Sequence, residues 1–103
     1  MIQWIYGPSG CGKTTLARQI KGANTVHLDG DDMRRVWTDL KFSDEDRLTN
    51  NLRIANLARV LERQGFNVVV STICPTAEIR EAVQKITGCT FIHIEDERDT
   101  KTW

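Results

Sequence analysis

The architecture of this chain follows from one stretch near its N-terminus, Gly7-Pro8-Ser9-Gly10-Cys11-Gly12-Lys13-Thr14-Thr15. It matches the pattern G-x-x-x-x-G-K-[ST], in which a glycine-rich turn joins a strand to a helix and cradles phosphate groups. The apolar residues 1–6 before it predict the strand, and the helical period after it predicts the helix. A merely structural glycine-rich turn would need neither the lysine nor the hydroxyl, so we interpret the stretch as a nucleotide phosphate site.

Each part of this loop has an expected role. The glycines allow backbone dihedrals that other residues avoid, so that successive N–H groups can converge on phosphate oxygens. Lys13 would reach the outer phosphates of ATP, and the Thr14 hydroxyl would ligate Mg²⁺. We predict that the nucleotide is bound by Gly7, Ser9, Gly10, Cys11, Gly12, Lys13, Thr14 and Thr15, with Thr15 also starting the helix.

Length and composition are those of a single domain over residues 1–103, with 40% hydrophobic and 27% charged residues. The 14 basic and 14 acidic residues give zero net charge, so nucleic-acid and membrane partners are not expected. No apolar run has the length of a membrane span or signal peptide, which predicts a cytoplasmic protein. Cys11, Cys74 and Cys89 lack metal-ligand spacing, so we expect reduced thiols, two of them buried.

Strands and helices alternate along the sequence. Apolar and β-branched runs predict four strands, at residues 1–6, 25–28, 66–73 and 90–94. Helical periodicity predicts helices at residues 14–21, from 31 or 32 to 37, at 44–64, and from 76 to about 87. This alternation predicts an α/β fold, the three-layer αβα P-loop NTPase fold, with a small parallel sheet of about four strands.

The longest predicted helix, at residues 44–64, has a clear apolar stripe. Its predicted members are Leu48, Leu52, Ala55, Ala58 and Leu61, widened by Ile54, Leu57 and Val60. Hydroxyl residues are expected to cap two helices at their N-termini, and glycines to end three helices. The capping residues are Ser43 and Thr76, and the glycines are Gly22, Gly65 and Gly88.

Acidic residues follow the second predicted strand, at Asp29 and Asp31. The carboxyl end of a parallel strand is where ligands bind in open α/β sheets. Phosphoryl transfer asks a protein for a carboxylate that orients the attacking hydroxyl and for cations around the phosphates. Asp29 and Asp31 are therefore candidate catalytic residues together with Lys13, and helix capping is the simpler alternative for the two carboxylates.

Three further stretches resemble the adenylylsulfate kinase family of phosphate-loop kinases. They are Asp29-Gly30-Asp31-Asp32-Met33-Arg34, similar to D-G-D-N-[VL]-R, Phe42-Ser43-Asp44-Glu45-Asp46-Arg47-Leu48-Thr49-Asn50, similar to F-S-x-x-D-R-x-x-N, and Ser71-Thr72-Ile73-Cys74-Pro75, similar to x-x-I-S-P. With the phosphate loop they occur in family order and cover about residues 1–94. The resemblance implies transfer of the γ-phosphoryl group of Mg-ATP to the 3′-hydroxyl of adenosine 5′-phosphosulfate.

The resemblance also implies roles for single residues. Asp29 and Asp31 resemble the acidic pair near the reacting hydroxyl and the magnesium, with Asp31 as a Mg²⁺ ligand beside Thr14. The implied acceptor site consists of Arg34, Arg47 and Asn50 around the phosphosulfate, Phe42 stacked on the adenine, and Ile73. Two guanidinium groups suit a doubly anionic group. The simpler alternatives are solvated arginines, an asparagine that faces water, and a core phenylalanine.

Two other functions stay open at this point. One is a related kinase whose small-molecule or polynucleotide acceptor differs, although zero net charge disfavours a polynucleotide. The other is a nucleotide-binding module without turnover, because the family continues after this last strand with a further helix and a basic lid, whereas residues 95–103 follow here. A homodimer is also expected, through a free sheet edge or Trp103.

Overall fold

A computed structural model describes residues 1–8, 13–20, 22–74 and 76–94, with the backbone alone for Thr14. Within these ranges the strands are β1 (Ile2–Tyr6), β2 (Thr25–Asp29), β3 (Asn67–Thr72) and β4 (Thr90–His93). The helices are α1 (Lys13–Gln19), α2 (Gly30–Val36), α3 (Asp44–Arg63) and α4 (Ala77–Thr87). The predicted order of strands and helices is confirmed. Several boundaries differ from the predicted ones by one or two residues. At the start of α2 the reason is clear, because Asp29 at the end of β2 is itself the N-cap of α2, which therefore begins at Gly30.

The strands form one parallel sheet with the order β2-β3-β1-β4. The connection through α1 runs from β1 to β2, and the connection through α4 runs in the opposite direction, from β3 to β4. Crossovers between parallel strands are right-handed, so connections in opposite directions put their helices on opposite faces. The three layers that the sequence predicts follow from this topology.

The two faces of the sheet bury cores of different size. On one face, Ala17 of α1 packs against Ile5 and Val69. The other face is covered by α2, α3 and α4, and its buried residues are Ile2, Trp4, Leu28, Ile54, Ala55, Ala58, Val68, Val70, Val83 and Cys89. Since Val68, Val69 and Val70 are all buried, β3 is the central strand that its β-branched sequence predicts.

The buried face of α3 is formed by Asn50, Asn51, Ile54, Ala55 and Ala58. The prediction that Val60 widens the apolar stripe is wrong, because its side chain is 45% exposed. Position 60 lies about 200° around the helix from position 58, so it points away from the sheet. Two asparagines occupy the N-terminal part of this face instead of apolar residues.

Four of the five predicted helix-end residues are confirmed, whereas Gly22 is not the C-cap of α1, because that helix already ends at Gln19. Ser43 Oγ accepts a hydrogen bond from the N–H of Asp46 at 3.1 Å, and Thr76 Oγ1 accepts one from Ile79 at 3.2 Å. Gly65 and Gly88 have φ values of 96° and 63°, which only glycine adopts at little cost. Within the described residues, no helix has both the length and the apolar content needed to cross a membrane.

Two cysteines are buried and free, as predicted, at Cys74 and Cys89. Burial raises the pKa of the Cys74 thiol to about 12, and it also raises the pKa of Cys89. Both side chains therefore stay protonated and act as small apolar groups in the core. Cys11 lies outside the described residues.

Candidate active site at the carboxyl edge of the sheet

The carboxyl ends of three strands bring most candidate residues to one edge of the sheet. Tyr6, the last residue of β1 before the phosphate loop, is in register with Thr72 at the end of β3. Asp29 at the end of β2 is in register with Ser71. The chain leaves β1 towards one side of the sheet and β3 towards the other, so this edge holds the switch point at which open α/β sheets bind ligands.

Lys13, at the end of the phosphate loop, contacts the start of the same loop. Its Nζ donates a hydrogen bond of 2.8 Å to the carbonyl oxygen of Pro8, which, like Gly7, is buried. This contact folds the ammonium group back over the start of the loop. Thr15 is exposed on α1. Four residues of the predicted site, Ser9, Gly10, Cys11 and Gly12, lie outside the described residues, as does the side chain of Thr14.

Asp29 is held by hydrogen bonds through both of its carboxylate oxygens. Oδ1 accepts from the backbone N–H groups of Asp31 and Asp32, at 2.9 and 3.2 Å, and so caps α2. Oδ2 accepts from the hydroxyl of Ser71 at 3.2 Å. The capping role that was the simpler alternative is therefore present, and it fixes the carboxylate at the end of β2.

Gly30 allows this tight turn from β2 into α2. A Cβ atom at this position would lie 3.1 Å from Thr72 Cγ2 and 3.4 Å from the carbonyl oxygen of Ser71. A side chain at position 30 would therefore require Thr72 to shift by a few tenths of an ångström. The glycine thus lets α2 start directly against the end of the central strand.

Arg34, Asp31 and Phe42 form a second group at this edge. The guanidinium centre of Arg34 lies 4.5 Å from the centroid of the Phe42 ring, and its Nη1 lies 3.8 Å from Asp31 Oδ1. The Arg34 side chain is only 16% exposed, whereas that of Asp31 is 78% exposed. Phe42 is 69% exposed, which makes the core interpretation of this residue wrong. A cation and an accessible aromatic ring therefore lie in contact next to a carboxylate.

Arg47 faces a different concavity. It contributes to an open groove of about 290 Å³ between the first turns of α3 and α4, whose described lining is Asp44, Glu45, Arg47, Leu48, Thr76, Glu78 and Ile79. Ile73 is half-buried after the end of β3. The structure therefore distributes the predicted acceptor residues over two neighbouring surfaces, one at α2 and one at the start of α3.

Asn50 lies inside the protein, at 2% exposure. Its Oδ1 accepts a hydrogen bond of 2.9 Å from the indole of Trp37, and its Nδ2 donates one of 3.3 Å to the carbonyl of Gly30. The alternative that this residue faces water is wrong. In this structure its amide joins α3 to both ends of α2, directly behind the segment that carries Asp31 and Arg34.

Asn51 belongs to the architecture of the site but was not singled out from the sequence. Its Oδ1 accepts from the Thr72 hydroxyl at 2.9 Å, and that hydroxyl accepts from the Trp4 indole, also at 2.9 Å. Its Nδ2 lies within 2.8 Å of the Arg47 carbonyl and 3.3 Å of the Ile73 carbonyl. A buried polar network thus ties β1, the end of β3 and the start of α3 together.

Across the described part of the chain, no three His, Cys, Asp or Glu side chains lie close enough together to hold a metal ion. A magnesium ion bound with nucleotide phosphates needs only one or two carboxylate or hydroxyl ligands from the protein. The exposed carboxylate of Asp31 fits that requirement.

Known proteins resemble this chain over most of its length. The family model for adenylylsulphate kinase matches residues 1–100. The adenylyl-sulfate kinase of Paraburkholderia xenovorans is 38% identical over 100 residues, which are 90% of this chain and 56% of that protein. The chain spans about half the length of the curated relatives it matches.

Solved structures give the same result. A mutant APS kinase of Mycobacterium tuberculosis superposes with a TM-score of 0.80 at 31% identity, covering 99% of this chain and 78% of that chain. The same organism's APS kinase in complex with AMPPNP and APS gives a TM-score of 0.79 at 35% identity, over 89% of this chain and 59% of that chain. The predicted fold is confirmed, and the chain belongs to the adenylylsulphate kinase family.

Proposed function

We propose that this protein transfers the γ-phosphoryl group of Mg-ATP to the 3′-hydroxyl of adenosine 5′-phosphosulfate. The observation that carries this proposal is the contact between Arg34 and Phe42 beside Asp31. A nucleotide acceptor offers an anionic group, an aromatic base and a hydroxyl. The three side chains offer a guanidinium, an exposed aromatic ring and a carboxylate, which are the complementary groups.

The donor half of the proposed site is the phosphate loop. Backbone N–H groups of the glycine-rich loop would hold the phosphates of ATP, with Lys13 as a point charge on the outer ones. Magnesium, held by Thr14 and Asp31, would neutralise charge that develops on the transferred group. Support for this half comes from the complete motif and from the position of Lys13 over the loop entrance.

The acceptor half would act mainly by positioning. One carboxylate of the Asp29 and Asp31 pair would orient the acceptor hydroxyl and receive its proton. Arg34 would bind the anionic group from the side of α2. Arg47 would bind it from the groove at the start of α3, and Asn50 and Ile73 would shape the pocket. Correct alignment of two bound substrates supplies much of the rate enhancement in such reactions.

The test is transfer of labelled phosphate from ATP to adenosine 5′-phosphosulfate by the full chain, with Lys13→Ala as control. We expect transfer that requires Mg²⁺ and that is lost in the variant. If the protein transfers phosphate to a nucleoside, a sugar acid or a polynucleotide 5′-hydroxyl, but not to adenosine 5′-phosphosulfate, the proposed acceptor is wrong and the kinase acts on that other molecule. If the protein binds nucleotide but transfers phosphate to none of these acceptors, it is a nucleotide-binding module without turnover and both kinase functions are wrong.

Arg47→Ala separates the two halves of the proposed site. We expect it to weaken acceptor binding about tenfold or more, because a charged hydrogen-bonding partner is lost, and to leave ATP binding within about twofold. Arg53→Ala is the matched control, since Arg53 lies on the same helix in an exposed ion pair with Asp39. If Arg47→Ala weakens the binding of ATP and of the acceptor equally, Arg47 is not part of the acceptor site.

A further inference from the structure

A row of polar side chains lies on the face of the sheet that α1 covers. His27 of β2 is in register with Val69, and Asp29 is in register with Ser71. Residues two apart on a strand share a face, and partners in register share it as well. His27, Asp29 and Ser71 therefore lie side by side next to the small core at Ile5 and Val69.

These three side chains form one hydrogen-bonded chain. His27 Nε2 lies 2.9 Å from Ser71 Oγ, and Ser71 Oγ lies 3.2 Å from Asp29 Oδ2. A serine hydroxyl has one proton, and a carboxylate can only accept. Ser71 therefore donates to Asp29 and accepts from Nε2–H of His27. This direction requires the imidazole to carry a proton on Nε2.

The surroundings of His27 favour its neutral form. Burial lowers the pKa of His27, and the nearby charge of Arg18 lowers it further, against the opposing effect of Asp29 and Asp32. A neutral imidazole has a single N–H group. The bond to Ser71 thus selects which of the two ring nitrogens holds the proton.

We propose that His27 is a positioning residue that orients the carboxylate of Asp29 through the hydroxyl of Ser71. The α2 cap bonds restrain Oδ1, and the bond from Ser71 restrains Oδ2, so the carboxylate plane has one orientation. Ser71 is buried, so its hydroxyl cannot turn to water. An imidazole that donates from Nε2 fixes the position of Oγ and leaves the serine proton to Asp29, whereas an imidazole that accepts at Nε2 would compete with Asp29 for that proton. The inference rests on the proposed function, in which Asp29 lies near the reacting hydroxyl.

Three variants of the full chain test this proposal by steady-state kinetics. His27→Leu removes the donor at similar volume, His27→Gln keeps an N–H donor near the Nε2 position, and Ser71→Ala interrupts the chain. We expect His27→Leu and Ser71→Ala to lower kcat about tenfold, as loss of supporting hydrogen bonds does at other sites. The KM for ATP should change less than about twofold, and His27→Gln should restore most of kcat.

Equal kcat in His27→Leu and wild type overturns the proposal. So does equal loss in His27→Leu and His27→Gln, because the bulk of the ring rather than its donor then matters. A fall in kcat that follows the loss of thermal stability across the variants gives His27 a purely structural role and also overturns it.

A spectroscopic readout keeps this test independent of activity. In the ¹⁵N spectrum of the imidazole of wild-type protein, we expect the protonated nitrogen of His27 to be Nε2. Ser71→Ala should reduce this selectivity to the weaker preference that a free neutral imidazole has for a proton on Nε2. Protonation at Nδ1 in wild type overturns the hydrogen-bonded chain even if the protein is an active kinase. Absence of transfer to any acceptor with the expected spectrum overturns the proposed function alone.

Discussion

Arg34 combines a nearly buried charge with an incomplete set of hydrogen bonds. Among the described residues, its Nε is the buried side-chain nitrogen or oxygen that lacks a hydrogen-bond partner. A buried guanidinium is costly unless its donors are satisfied. Phe42 covers one face of the group, and Asp31 approaches it only at 3.8 Å. An anionic ligand in contact with the guanidinium would balance its charge, which supports the proposal that Arg34 belongs to the acceptor side.

Phe42→Ala tests the stacking role of the exposed ring. Because most of the ring faces solvent, the free energy of unfolding should change by less than about 0.5 kcal/mol. Binding of a nucleotide acceptor should weaken by about 1–3 kcal/mol, the usual value of a lost base stack. Calorimetric titration and urea unfolding measure the two quantities. Val36→Ala, an exposed apolar residue on α2, is the control. Unchanged acceptor binding in Phe42→Ala contradicts the stacking role.

His27 should make stability depend on pH. Its pKa in the folded protein lies below the usual 6.5, so the unfolded chain binds more protons between the two values. The free energy of unfolding contributed by the neutral ring is fully present above about 6.5 and is lost as the pH falls through that window. Urea unfolding at several pH values measures this, and His27→Gln should show a smaller decrease on acidification. The same slope in both proteins would assign the effect to other groups.

At the scale of helices and strands, the sequence predicts the fold well because strong local signals coincide. Continuous β-branched residues predict the buried strand β3, and Thr76 and Gly88 mark the two ends of α4. The buried roles of Asn50 and Asn51 were not predicted. Periodicity places position 51 on the same face as Ala55 and Ala58, but asparagine can face water or core equally well. The partners of Asn51 outside α3 are Thr72 at the end of β3 and Ile73 after it, and only the tertiary structure brings these residues to α3.

The start of α3 depends on Ser43, and this dependence can be measured. Ser43→Ala removes the acceptor for the N–H of Asp46 and should lower the free energy of unfolding by about 1 kcal/mol. Ser43→Asp keeps an acceptor and should stay close to wild type. Because Phe42 precedes this cap and Arg47 lies in the first turn behind it, the alanine variant should also weaken acceptor binding. Urea unfolding of the three proteins is the check, and equal stability of all three contradicts the capping role.

At the scale of the whole molecule, the two halves of the proposed site lie over hydrophobic cores of different size. The acceptor half lies over the larger core beneath α2, α3 and α4, where Asn50 and Asn51 add buried hydrogen bonds. The donor half depends on α1, a helix of seven residues that packs on the small core. Both β2 and β4 are edge strands of the described sheet, and a homodimer through either edge stays a prediction that light scattering can test.

The small core beneath α1 has a consequence for local stability. With little apolar surface to lose, α1 should open without unfolding of the remaining molecule, whereas amides of β3 and α3 should exchange only by global unfolding. Among the helices that border the site, we expect α1 to contain the amides with the fastest hydrogen exchange. We expect ATP to slow the exchange of these amides selectively. Uniform protection of α1 and α3 without ligand contradicts this. A nucleotide on this protein would then be more than a substrate, since its phosphates would complete the folding of the helix that binds them.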